Sequence, residues 1–540
     1  MHLIPAFFKP RKVCEPTGVR EEFVLPSEFG PTQLVKKNRQ RTVYCIERDG
    51  QRFFVKTCRI EGPRAWFRDL FRGPKARLEF ENAKELATRR ISAVEPVAWF
   101  GRSWPSQSTI VTRNVPYAIP LAEYLTRHFP ALPIDDQRFI RRSLARRLGE
   151  YFASLYAAGA IHPDPHPGNL LVSFDDRSEA TFTLLDVHAV RFSDLIVPNE
   201  IIENLVLFNR WFILRTSRTD RMRFWTAFRL ALGRLNREVG RTVERKTVES
   251  NLRFWARRFG RYSGENREFR RIRSGPFRGF GARDGILGSI LDDPDAIFER
   301  NDVAVLKSSR SSKVVSFIGE TASGPHRFVF KRIPVRSVFS PIKNFFRVSA
   351  IFRSWRYGLS LRDRFLPTPR PLMAFHRYRF GIPCEGYLLS EEQCGAVTLD
   401  RAIKLLVNRD DRNRILRSWA ERLGRLVRMM HDRGIQHGDL KAANILLTLD
   451  ETNPHDAEIS LIDLVGVKSS RTISRIERIE DLARLAASFV NSGELTNAAR
   501  MRFLSAYNDV FPLTSMFWPE IVSTVARKRR RNEKRGRTLE

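Results

Sequence analysis

The chain twice assembles the same four residue types in the same order. A lysine ends a short apolar run, Lys56 in R-F-F-V-K and Lys331 in R-F-V-F-K. A His-x-Asp follows, as His162-Pro163-Asp164 and His437-Gly438-Asp439, with Asn169 and Asn444 standing five residues beyond each Asp. A second Asp then closes an apolar stretch, Asp186 after F-T-L-L and Asp463 after I-S-L-I. Phosphoryl transfer from a nucleotide needs a cation on the phosphates, a carboxylate near the acceptor hydroxyl, and a carboxylate with an amide oxygen for Mg2+. Each copy supplies every part. On this reading Asp164 and Asp439 orient the acceptor hydroxyl or take its proton. Asn169 with Asp186, and Asn444 with Asp463, hold Mg2+, and Lys56 and Lys331 grip the α/β-phosphates of the nucleotide. Taken singly, a strand lysine is usually a solvated edge charge and an H-x-D a capped turn; the ordered recurrence carries the argument.

The elements that must position these residues also recur, at an offset of 275 residues that relates Lys56 to Lys331, Pro96 to Pro371, and R-L-G from Arg147 to R-L-G from Arg422. A constant register over that distance marks an internal duplication. Thr42 to Cys58 alternate apolar and polar side chains about Asp49-Gly50, which predicts a β-hairpin, and Lys313 to Lys331 predict its counterpart. Ala76 to Arg90 read as a helix, followed by a strand near Val94 to Phe100. Ile140, Leu144, Leu148, Phe152 and Leu155 recur at helical spacing, as do Ile415, Trp419, Leu423, Leu426 and Met430; each helix stops at a glycine, Gly159 or Gly434, just before the His-x-Asp loop. The expected organisation is an N-terminal extension over 1–22, a first domain over 23–235, a basic linker over 236–300, a second domain over 301–515, and a solvated basic tail over 516–540.

Composition sets limits around this. The chain has 540 residues, 94 Lys+Arg against 60 Asp+Glu for a net charge of +34, and 42% hydrophobic residues. That is enough apolar material for more than one core, which argues against global disorder. Five cysteines form no C-x-x-C pair, which fits reduced thiols better than a disulfide framework or zinc site. The first ten residues lack a basic n-region and are interrupted by Pro5, and no run of about 18 apolar residues occurs. A cytoplasmic protein is expected, or one peripheral on the cytoplasmic face of the inner membrane, where its charge would meet anionic lipid. Nucleic acid is disfavoured as a partner, since no zinc-finger, RRM or basic-zipper pattern accompanies the charge.

The strand Lys, the H-x-D-x-x-x-x-N loop and the closing Asp match the protein-kinase signature set. With H-G-D-L-K-A-A-N-I-L-L and L-I-D-L-V-G-V, the second copy resembles the lipopolysaccharide kinase (Kdo/WaaP, InaA-like) family of the protein-kinase-like superfamily. The first is more divergent, and its H-P-D-P-H-P-G-N-L-L also resembles the loop of UbiB-like atypical kinases. The resemblance implies an α+β fold of two bilobal units, each a small antiparallel sheet lobe and a mainly helical lobe. It implies ATP and Mg2+ as cofactors and a hydroxyl acceptor, for the named family a lipid-linked core sugar.

Departures from the pattern limit the inference. Neither copy has a Gly-rich phosphate loop; V-K-K-N-R-Q-R-T-V and L-K-S-S-R-S-S-K-V stand there, with Lys36, Arg39, Lys307 and Arg310 as candidate phosphate contacts or plain hairpin charges. Glu79 and Glu81 are candidate partners for Lys56, but Ser354 stands where Glu79 would recur. Asp186-Val187-His188 and Asp463-Leu464-Val465 replace the usual metal triplet, and no A-P-E follows, which argues against a peptide platform. Lys441, two residues after Asp439, is placed to neutralise a transferring phosphoryl group, whereas the first copy has His166. The second copy is therefore expected to be catalytic and the first regulatory or divergent. The rival readings are a pseudokinase scaffold binding nucleotide and an anionic membrane or partner, and a protein Ser/Thr kinase.

Overall fold

The computed structural model describes residues 11–15, 18–22, 33–38, 41–60, 71–101, 107–176, 178–233, 235–236, 238–284, 288–310, 312–321, 324–334, 349–450, 453–489, 495–508 and 517–533. The chain divides into two units, Met1–Ser250 and Asn251–Glu540.

In unit one, the strands β1 (Gln33–Lys37), β2 (Arg41–Arg48), β3 (Gln51–Arg59), β4 (Pro96–Phe100) and β5 (Gln107–Arg113) form an antiparallel sheet in the order β1-β2-β3-β5-β4. The β2–β3 turn places Asp49 at φ 53° and Gly50 at φ 70°, the left-handed pair that an Asp-Gly hairpin requires. Val43 lies directly opposite Lys56. Helix α1 (Lys75–Thr88) follows β3 in the chain, and α2 (Ile134–Ala157) leads into the His-x-Asp loop. The strands β6 (Leu170–Phe174) and β7 (Ala180–Leu184) pair beyond that loop and deliver Asp186, and α3 (Pro198–Phe212) and α4 (Arg218–Leu232) complete the helical lobe.

The division between units falls within α5 (Glu238–Phe259). Residues 236–300, expected as a linker, are largely folded. Trp255 donates to the Asp363 carbonyl (3.1 Å), and β8 (Phe269–Ser274) and β9 (Phe277–Ala282) form a hairpin that pairs with a strand of the second sheet. The Gly-rich composition hid the strand. Gly279 serves close approach there, because a Cβ would stand 2.1 Å from the Ala374 carbonyl.

The sheet of unit two contains β10 (Ala304–Ser309), β11 (Ser312–Thr321), β12 (Gly324–Pro334), β13 (Pro371–Arg379) and β14 (Ile382–Glu391), in the order β8-β9-β13-β14-β12-β11-β10. Without the β8–β9 hairpin this is the order of unit one. Helices α6 (Ala350–Asp363), α7 (Arg412–Asp432), α8 (Arg475–Ala487), α9 (Asn497–Asn508) and α10 (Phe517–Glu533), with paired strands β15 (Ile445–Thr448) and β16 (Glu458–Leu461), make most of the rest. The tail expected to be solvated thus continues as helix to Glu533, anchored by buried Ile521 and an Arg475–Glu520 pair at 2.5 Å.

Both helical lobes are built the same way. α7 buries Ile415, Trp419, Leu423, Leu426 and Met430, each aliphatic contributing about 1.5–3 kcal/mol relative to exposure. Gly149 and Gly424 sit mid-helix because a neighbouring helix crosses closely; a Cβ would lie 2.6 Å from the Phe224 carbonyl in one unit and 2.4 Å from that of Phe503 in the other. None of the described helices is long and apolar enough to cross a membrane.

Candidate functional site

In unit two the His-x-Asp loop is fastened by the core. The fully buried Asp481 carboxylate on α8 accepts the backbone N–H of His437 (2.7 Å) and of Gly438 (2.9 Å), and His431 Nε2 lies 3.3 Å from it. Burial alone would raise the Asp481 carboxyl, but His431 and these N–H donors override it and hold it below the usual carboxylate range. His431 and His437 are both pushed down by burial, so both are neutral at pH 7. His437 donates from Nε2 to the Ile462 carbonyl (3.2 Å), tying the loop to the residue before Asp463. Gly438 stands at φ 74°, where a Cβ would meet the Gly466 carbonyl at 2.4 Å.

On this frame Asn444 Nδ2 donates to the Asp439 carbonyl (2.8 Å) and to Oδ2 (3.0 Å). Two cations face the same carboxylate, Arg484 at 3.4 Å and Lys441 at 3.8 Å. Asp463 adopts φ 57°, a left-handed conformation that a non-glycine residue holds only when its surroundings enforce it. Lys331 donates to Asp463 Oδ1 at 3.2 Å, and Oδ2 has no ion pair among the described residues.

Unit one repeats the frame with different side chains. Tyr156, in register with His431, donates to Asn204 Oδ1 (2.8 Å), and Asn204 Nδ2 donates to the His162 carbonyl (2.8 Å), so the brace is neutral. His162, also pushed down by burial, donates to the Leu185 carbonyl (3.1 Å). Asn169 Nδ2 reaches the Asp164 carbonyl (3.0 Å) and Oδ2 (3.3 Å), and Asp186 has φ 55°. Pro163 replaces the left-handed Gly438, so this residue of the loop takes another conformation. His166 turns Nδ1 to the Gly168 N–H (2.9 Å).

The cation cluster differs most. Lys56 donates to Glu79 at 2.8 Å and also to Asp186 Oδ1, while Arg41 Nη1 donates to Asp186 Oδ2 at 2.7 Å. Burial would lower Lys56 and raise Asp186. The surrounding opposite charges win, leaving Lys56 well above and Asp186 well below their ordinary values.

Of the two glutamates proposed for Lys56, Glu79 is buried against it. Glu81 is not in the site: two residues on, it points to another side of α1 and pairs with Arg77 (2.7 Å) on the exposed face. Ser354 is buried at the Glu79 position of unit two, and Lys331 pairs with Asp463 alone among the described residues. Lys36 and Lys307 lie exposed on the edge strands β1 and β10, Arg310 follows β10, and Arg39 lies outside the described residues. Arg41, Asp481, His431, Arg484, Tyr156 and Asn204 were not singled out from sequence. A signal existed for Arg41: two positions before Val43, which faces Lys56, it shares the lysine's side of the sheet.

The two units differ in fitness for Mg2+. Asn444 uses its amine on Asp439, which leaves an amide oxygen, and Asp463 adds a carboxylate oxygen; hard oxygen donors of this kind suit the ion. In unit one both Asp186 oxygens are already taken by cations, and Asn169 with Asp186 does not fit. An apolar cavity of about 400 Å³ in each helical lobe, lined by Leu423, Phe503 and Val525 in unit two and by Leu144, Phe208 and Trp225 in unit one, lies apart from both clusters.

A family model described as the lipopolysaccharide kinase (Kdo/WaaP) family matches residues 35–224 and 341–507, well over half of the chain. A 3-deoxy-D-manno-octulosonic acid kinase of Stenotrophomonas maltophilia (strain R551-3) is 38% identical over 96 residues, 18% of this chain; the match spans 34% of that relative's length. Among solved structures, WaaP in complex with acyl carrier protein is similar over 44% of this chain and 92% of its own, at 20% identity and TM-score 0.33. A structure of WbdD is similar over 41% of this chain and 46% of its own, at 18% identity and TM-score 0.25.

Proposed function

The chain belongs to the lipopolysaccharide kinase (Kdo/WaaP) family, and on that premise we propose that it transfers a phosphoryl group from ATP to a sugar hydroxyl, with unit two doing the chemistry. The acceptor class is a saccharide or sugar acid, lipid-linked in the fullest form of the reading. The family and the name of the 38%-identical relative support this acceptor class. The carrying observation is the Asp439 carboxylate, oriented by Asn444 and flanked by Lys441 and Arg484.

Asp439 receives the acceptor hydroxyl and takes its proton as the oxygen attacks. Lys441 and Arg484 offset charge on the transferring group, and Lys331 steadies the nucleotide phosphates. Asn444 and Asp463 would hold Mg2+, which when bound neutralises phosphate oxygens. The scaffold reading is favoured for unit one alone, by Arg41 on Asp186.

Mg2+-dependent ATP turnover by the full chain tests the assignment. Asp439→Ala is expected to lose roughly 10²–10⁴-fold in kcat, the range of a positioned acid–base group, while Asp164→Ala stays within about twofold. Loss on Asp164→Ala alone would move the chemistry to unit one.

A further inference from the structure

Unit one disagrees with a divalent cation but keeps its phosphate-gripping lysine. We propose that it binds a nucleoside triphosphate without Mg2+, the Arg41 guanidinium supplying the positive charge that the metal supplies elsewhere. This rests on the nucleotide reading of the duplicated frame.

Arg41 reaches across from β2 to Asp186 Oδ2 at 2.7 Å, and Lys56 occupies Oδ1. A metal ion seeking this carboxylate would have to expel a guanidinium and stand against its charge. The site is instead balanced internally, two cations (Lys56, Arg41) against two carboxylates (Glu79, Asp186). A polyphosphate entering it finds both cations already gathered on one side of the sheet, since Arg41 and Lys56 lie on the same face of the β2–β3 ladder. Arg41 suits this exchange because its planar fork bonds carboxylate and phosphate oxygens alike.

Unit two supplies the internal control. Val314 lies opposite Lys331 as Val43 lies opposite Lys56, so the ladder position of Arg41 is held there by Ser312, which carries no charge. The unit with the open carboxylate lacks the arginine, and the unit with the arginine lacks the open carboxylate. Unit one also has His166 turned onto Gly168 where unit two has Lys441 beside Asp439, so its site is suited to holding a nucleotide rather than to transfer.

Calorimetric titration of ATP into the full chain, in Mg2+ and in EDTA, tests this. The wild type is expected to bind two equivalents in Mg2+ and one in EDTA. Arg41→Ser, which copies Ser312, should weaken the EDTA-resistant equivalent roughly ten- to a hundredfold, the loss of one charge-assisted contact, and make it recover with Mg2+. Arg41→Lys, which keeps a cation, should retain most of it, and unchanged melting of both variants separates lost binding from lost folding. If the wild type binds ATP only with Mg2+, or if Arg41→Ser leaves the EDTA titration unchanged, the proposal fails while the kinase reading stands. No ATP binding in either medium removes the nucleotide reading itself. Inorganic triphosphate competing as well as ATP would remove the nucleoside from the ligand.

Discussion

Unit one keeps the Lys56–Glu79 ion pair that unit two has lost to Ser354, and unit two keeps the accessible Asp463 that unit one has covered with Arg41. What both retain is the frame of the loop. Asp186 and Asp463 share the left-handed conformation, His162 and His437 tie the loop to the preceding strand, and Asn169 and Asn444 each orient the loop Asp. The comparison teaches that a duplicated frame can be held by its strained and buried positions while the charges around it divide into different tasks. Even the brace is rewritten, from a Tyr156–Asn204 hydrogen bond to a His431–Asp481 pair.

The brace offers the largest effect with which to sharpen that contrast. Asp481→Ala leaves two buried backbone donors unpaired, about 1–3 kcal/mol each, and is expected to abolish hydrogen-exchange protection over His437 to Asn444 while sparing His162 to Asn169. Asn204→Ala should do the reverse more weakly, by about 2 kcal/mol or less, because only neutral partners are lost. Equal effects of the two substitutions would break the contrast.

A smaller difference is expected in acid. His431 has a depressed value in the fold, so below its unfolded value of about 6.5 the unfolded chain takes up the proton first and stability falls with pH. Asp481 is also depressed, and its contribution, present above about 3.9, is lost as pH falls further. His162 and His437 act alike in the two units, and unit one adds His166 and His188, both also pushed down by burial, so a variant is needed to isolate His431. Loop protection in unit two should therefore decline from about pH 6.5 downward, after correction for intrinsic exchange. His431→Gln should flatten the decline in unit two and leave that of unit one unchanged; an unaltered slope in unit two would contradict the role of His431.

How far these sites could be read from sequence follows from where each signal resides. The lysines, loop residues and closing aspartates, which each unit brings together, stood out in the sequence because they recur in the order that the proposed chemistry would need, and the duplication repeated the pattern. Glu79 and Glu81 could not be separated, since both fall within one turn of α1 and only packing selects the buried one. Arg41 was lost in a run of hairpin charges until the strand register set it beside Lys56. Asp481 was illegible because it meets its partners from an element more than forty residues away. The segment 236–300 looked like a joint because Arg, Gly and aromatic residues obscured the alternation of β8 and β9, whose Phe269, Ile272 and Phe277 are buried.

The central claim is that one carboxylate, Asp463, takes a metal ion and the other, Asp186, does not. Counting bound Mn2+ by electron paramagnetic resonance, with the full chain saturated with ATP, tests it most directly. The expected result is one tightly held ion per chain, lost in Asp463→Ala and retained in Asp186→Ala; two ions, or a single ion lost in Asp186→Ala, would contradict it.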